Sequence, residues 1–180
     1  MTVRRHDAGS IAEALRLLTS SNLDAVSFRD AMSRFAAAVH IVTTDGPAGR
    51  RGVTVTSVAP VSDDPATLLV CLNTSSVTND RFAANGCFAV NLLGSQSEQL
   101  AQAFAGAGKL EAEERFALGD WETELTGSPL LVGSLASFDC RLIDCRIVAT
   151  HQVMIGEVVG LRLGDPGEAL LYLGRKFHRI

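Results

Sequence analysis

The stretch from Phe138 to Leu163 constrains the fold more than any other part of the chain. Phe138, Cys140 and Leu142 alternate with polar neighbours, and the apolar phase then slips by one residue to Ile143, Cys145 and Ile147. Strict alternation marks a half-buried strand, and a slip within it marks a β-bulge, the device that bends a sheet towards closure. After a turn at Ala149-Thr150-His151-Gln152, the run Val153–Leu163 supplies a partner strand, broken by Gly156 and Gly160. Two long neighbouring strands with a bend built in predict an antiparallel barrel and argue against alternating βαβ units.

The remaining elements agree with a mainly β fold carrying a few helices. Shorter strands are predicted at Val39–Thr43, Gly52–Val58, Thr67–Leu72, Cys87–Leu93 and Ala169–Leu173. Turn residues separate them, at Asp45-Gly46-Pro47-Ala48-Gly49, Asp63-Asp64-Pro65, Gly127-Ser128-Pro129 and Asp165-Pro166-Gly167. Helical spacing predicts a helix over Ile11–Leu18 capped by Ser10, and another through Phe28, Met32, Phe35 and Ala36 capped by Ser27. A third starts at Asn79-Asp80 and stops at Asn85-Gly86, and a fourth spans about 96–104 with Leu100 and Phe104 as anchors. The segment from Ala105 to Trp121 reads as a loop with one helical turn. Residues 1–26 form an N-terminal extension, and residues 27–180 a single domain.

At 180 residues the chain can bury a sizeable core. Its hydrophobic fraction of 47% and mean hydropathy of +0.20 are high for a monomer, so part of the apolar surface is expected in a subunit interface. A net charge of −4, with no Lys/Arg run longer than two, argues against nucleic acid as a partner. No apolar run approaches the ~20 residues of a membrane span, and no signal-peptide core follows the N-terminus, so a cytoplasmic location is expected. Cys71, Cys87, Cys140 and Cys145 form no Cys-x-x-Cys pair and read as reduced, buried small hydrophobes.

The sequence lacks a Gly-x-Gly-x-x-Gly fingerprint, a Walker phosphate loop and a Gly-x-Ser-x-Gly elbow. His6, His40, His151 and His178 are scattered without metal-ligand spacing. The positive signal lies elsewhere. Gly52 to Pro60 is a β-branched run that places Thr54, Thr56 and Val58 on one strand face and Val53, Val55 and Ser57 on the other. Such a run also occurs by strand propensity alone. Yet the next apolar strand, Leu68–Leu72, empties into Asn73, Ser75, Ser76 and Thr78, just before a helix with Arg81 in its first turn. Hydroxyls, free helical N–H groups and a guanidinium together suit a bound phosphate.

Several segments carry a family resemblance. Phe28-Arg29-Asp30-Ala31-Met32, Val42 to Gly49, Gly52 to Pro60, Phe88-Ala89-Val90-Asn91-Leu92, Glu113-Glu114-Arg115-Phe116, Gly133 to Ser137 and Thr150-His151 resemble the short flavin reductases of two-component monooxygenase systems. The resemblance covers about residues 27–180. It implies an antiparallel Greek-key split β-barrel of the FMN-binding type, working as a homodimer. It implies that hydride passes from NADH or NADPH to FMN or FAD, and that reduced flavin goes to a separate flavin-dependent monooxygenase. Flavin contacts are implied for Thr54, Thr56, Ser57, Val58, Ala59, Asn73, Ser75, Ser76, Thr78, Arg81 and Asn91, and a place beside the nicotinamide for His151. The sequence departs from the family at Ala59-Pro60, and has His40 where a smaller polar residue is common. Fold does not fix activity. A non-catalytic flavin- or haem-binding split barrel, or a flavoprotein reducing another acceptor such as a cobalt corrinoid, stays open.

Overall fold

The structure, a computed structural model, describes residues 18–180, so the helix expected over Ile11–Leu18 lies, apart from Leu18, outside the described residues. The chain divides into two compact units, Met1–Phe35 and Ala36–Ile180. In the first, helix α1 spans Ala25–Met32. Its cap is Asp24 and not Ser27: the Asp24 carboxylate accepts the Ser27 N–H at 2.7 Å, one turn ahead of the expected start. Phe28, Met32 and Phe35 are exposed.

The second unit is built from strands β1 (Ala37–Ala38), β2 (His40–Thr44), β3 (Arg51–Val55), β4 (Val58–Asp63), β5 (Ala66–Asn73) and β6 (Cys87–Leu92). They are followed by β7 (Trp121–Thr123), β8 (Pro129–Leu131), β9 (Ala136–Val148), β10 (His151–Leu163), β11 (Leu170–Leu173) and β12 (Lys176–Arg179). Three short helices, α2 (Asp80–Asn85), α3 (Glu98–Phe104) and α4 (Ala112–Phe116), lie between them. Seven strands form one antiparallel sheet in the order β3-β2-β6-β9-β10-β5-β4.

That order forces closure. β3 and β4 occupy opposite edges, yet only Thr56 and Ser57 separate them in sequence. A flat seven-stranded sheet would hold its edges about 29 Å apart at the usual strand spacing. Three chain steps reach at most about 11 Å. The sheet must therefore curl until its edges meet, and a Ser57 carbonyl accepting the Cys71 N–H at 3.1 Å ties the corner to β5. The run expected as one strand, Gly52–Val58, is thus two strands and a corner. No ladder joins β3 to β4, so the barrel is split along that seam.

The expected bulge is present. Ile155 faces Asp144 and Gly156 faces Leu142, leaving Ile143 unpaired; a second shift follows between Val158 and Gly160. The inward phase beyond the bulge holds for Cys145, which packs against the core, while Ile143 and Ile147 are exposed. Gly156 does not break β10: a Cβ there would run into the Phe88 ring, so only glycine lets β10 pass over that buried side chain. One core fills the barrel, with Val42, Val70, Leu72, Phe82, Phe88 and Met154; another lies under α3, with Val39, Ile41, Leu100, Phe104 and Phe116. All four cysteines are free; Cys87 and Cys140 are buried, Cys71 and Cys145 partly so.

Candidate functional site

The seam opens into a cleft of about 770 Å³, within the usual range for small-molecule sites. One wall is the end of β3 with the Thr56-Ser57 corner. The other is the end of β5, where Asn73 lies in register with His151 of β10. The hairpin turn is shorter than expected, only Ala149-Thr150, with Ala149 in the left-handed region at φ 51°. His151 is therefore the first residue of a rigid strand. Its Nδ1 sits 3.0 Å from the Thr150 hydroxyl, and Thr74 N–H and hydroxyl both reach the Thr150 carbonyl at 3.0 Å. These bonds fix the hairpin tip to the loop after β5.

That loop is internally braced. Asn73 Oδ1 accepts the Ser75 N–H at 2.8 Å, and the Asn79 amide donates to the Asn73 carbonyl at 2.9 Å. The Ser76 and Thr78 hydroxyls lie 3.0 Å apart. Arg51, first residue of β3, reaches across with Nε donating to Asn79 Oδ1 at 3.1 Å and Nη2 to the Ser76 hydroxyl at 3.4 Å. Arg81 donates to the Arg50 carbonyl at 2.9 Å, and Arg115 to the Leu110 carbonyl at 2.8 Å. All three guanidiniums line the cleft, and among the described residues none is paired with a carboxylate. Burial first, then the charges of Arg115 and Arg81, hold the Arg51 pKa below the ordinary arginine value. Such a cluster calls for an anion.

The structure brings Thr54, Thr56, Ser57, Asn73, Ser76, Thr78, Arg81 and His151 to one cleft. The hydroxyls are not equivalent. Thr54 donates to the Ala101 carbonyl at 2.7 Å and Ser57 to the Cys71 carbonyl at 2.7 Å, so both already anchor neighbouring backbone. Val58, Ala59 and Ser75 do not line the cleft; Val58 and Ala59 pair with Val70 and Leu69 on β4 and β5. Asn91 is a correction. It is fully buried in the core, donating to the Ile41 carbonyl at 3.0 Å and accepting from Leu131 N–H and Ser137 hydroxyl at 2.8 Å each. Those bonds lock β2, β6, β8 and β9 together and leave nothing for a ligand.

The sequence reading assigns no site role to Arg51, Asn79, Glu111 or Arg115, all of which line the cleft. It also missed an adjoining apolar pocket of about 420 Å³ that shares Thr54, Val55 and Thr56 and is walled by Tyr172 and Phe177. Their rings meet edge to face, with centroids 5.3 Å apart. Polar cleft and apolar pocket together suit a ligand with a flat ring at one end and a phosphate at the other.

The fold and cleft define a split β-barrel with a ligand site at its seam. Residues 32–180 match the family described as flavin reductase like domain, and the chain belongs to that family. It is 49% identical over 153 residues to the NADH-dependent FMN reductase RutF of Ancylobacter novellus, covering 85% of this chain and 83% of that one. It is 42% identical over 154 residues to the 4-hydroxyphenylacetate 3-monooxygenase reductase component of Pseudomonas aeruginosa, covering 86% and 91%. Among solved structures, it superposes on the Streptomyces globisporus NADH:FAD oxidoreductase SgcE6, in complex with NAD and FAD fragments. The TM-score there is 0.81, with 29% identity and coverage of 92% and 97%. BorF, the flavin reductase component of a bacterial two-component tryptophan halogenase, gives a TM-score of 0.80 with 28% identity and coverage of 87% and 98%.

Proposed function

We propose that this protein is an NADH-dependent flavin reductase whose reduced flavin serves a separate flavin-dependent monooxygenase. The observation that carries the reading is the seam cleft itself, lined together by three guanidiniums that no carboxylate pairs among the described residues, by the Thr56-Ser57 corner and by His151. The residues fit a flavin: Arg51, Arg81, Ser76 and Thr78 would hold its phosphate, and the corner would lie beside its ring. When bound, the flavin supplies the electrophilic centre that accepts hydride from the nicotinamide. The chain's own work is to align two rings and exclude water between them. No acid–base pair is required. His151, fixed by Thr150 and by its strand, would position the nicotinamide.

A homodimer and a cytoplasmic location belong to the same proposal. Ile143, Ile147, Val148, Leu161 and Leu163 are exposed on β9 and β10, apolar side chains of the kind that a second copy would cover. Among the described residues no helix is long and apolar enough to cross a membrane. The deciding experiment follows NADH consumption with and without added FMN or FAD. Consumption that requires flavin supports the reductase. Flavin binding with no NADH oxidation would make it a carrier, and oxidation that needs a corrinoid acceptor would make it a reductase of another class.

A further inference from the structure

The three arginines of the cleft carry a specificity that resting on a flavin-reductase reading alone does not give. Arg51, Arg81 and Arg115 come from β3, α2 and α4, and each is held by one or two hydrogen bonds to neutral acceptors. Each of the five-donor guanidiniums therefore keeps most of its N–H groups for a ligand while its position is held. Glu111 also lines the cleft, at the cap of α4. Three positive charges and one negative leave a surplus of two. A terminal phosphomonoester brings two negative charges and three oxygens on one phosphorus. The pyrophosphate of FAD spreads its two charges over two centres, and riboflavin brings none.

We propose that Arg51 is the specificity-determining residue of a three-arginine pocket that selects a flavin ending in a phosphomonoester dianion, FMN, over FAD and riboflavin. Arg51 is the member placed to do so. It alone bonds the Ser76 and Asn79 side chains of the opposite wall, and it stands close enough to both other guanidiniums for their charges to act on it. Its fork thus ties the β3 wall to the loop after β5, beside a cleft that the other two guanidiniums also line. The other ionisable groups lining the cleft are Cys71 on β5, whose thiol burial pushes up, and His151 on β10.

The test measures dissociation constants of FMN, FAD and riboflavin by flavin fluorescence, for wild type, Arg51→Gln and Arg51→Lys, at pH 5 and pH 7.5. The wild type should bind FMN more tightly than FAD or riboflavin, and FMN alone should weaken as its phosphate takes up a proton near pH 6. Riboflavin passes the same His151 and Glu111, so it supplies the blank for protein titration. Arg51→Gln should weaken FMN roughly ten- to a hundredfold while leaving riboflavin unchanged, and Arg51→Lys should recover only part of the loss. Unchanged riboflavin binding also shows that the variant is folded. Equal wild-type affinity for FMN and FAD, or equal losses of FMN and riboflavin in Arg51→Gln, would overturn the selection while leaving the reductase intact. Failure of wild type to bind any of the three flavins would overturn both.

Discussion

Acidifying the protein from pH 7.5 to pH 5 should destabilise it through one residue, His40. It lies on β2 in register with Val55 of β3 and Leu92 of β6, and its imidazole Nδ1 is enclosed without a hydrogen-bond partner. Burial pulls its pKa down from 6.5 to about 4, against a smaller opposing effect from the Ala38 backbone. The folded state thus keeps this histidine neutral where the unfolded chain protonates it. Stability is complete above the unfolded pKa of 6.5 and falls as pH drops towards about 4. The whole shift corresponds to about 3 kcal/mol, of which about 2 kcal/mol is lost by pH 5. Urea unfolding of wild type and His40→Leu at both pH values isolates the effect, since every other titrating group is shared. The variant should lose about 2 kcal/mol less than wild type on acidification. An identical loss in the two proteins would show that His40 is either solvated or paired in the folded state, and the reasoning would fail.

Other substitutions separate fold from site. Asn91→Leu should cost about 3–5 kcal/mol in urea unfolding, because it removes from the core the amide that donates to the Ile41 carbonyl and accepts from the Leu131 N–H and the Ser137 hydroxyl. Flavin affinity of the folded fraction should not change. Gly156→Ala pushes a methyl into the Phe88 ring and should cost about 1–3 kcal/mol by the same measurement. His151→Ala should lower kcat/KM for NADH roughly ten- to a hundredfold, mainly through KM, with flavin affinity nearly intact. Steady-state kinetics beside a flavin titration will show whether the two parameters part. Light scattering at micromolar concentration should return the mass of a dimer.

Much of the barrel was legible because strand alternation is a strong signal. The slip between Leu142 and Ile143 located the bulge to the residue. The Gly52–Val58 run misled for an equally physical reason: β-branched residues favour extended backbone whether or not the strand turns a corner. Which strands become sheet edges is a long-range property, and only the pairing order exposes the break at Thr56-Ser57. Lys176–Arg179, polar and at an edge, carried no apolar alternation by which to read β12. The site shows the same division. Hydroxyls clustered along the chain were readable, whereas Arg51 and Arg115 become partners only when β3 and α4 meet. Asn91 shows the converse. The family resemblance implied a flavin contact for it, and the fold gives it the task of satisfying core backbone.

The seam left open for the cleft also exposes two strand margins, and unpaired margins invite other chains to add on and grow fibrils. The protein has blunted one of them. β4 carries Pro60, which has no N–H to offer, and its register shifts between Pro60 and Ser62, so the margin is kinked as well as short of donors. A neighbouring molecule finds no regular ladder there to extend. For the homodimer proposed above, that leaves the faces of β9 and β10, where contact between two copies would saturate and stop.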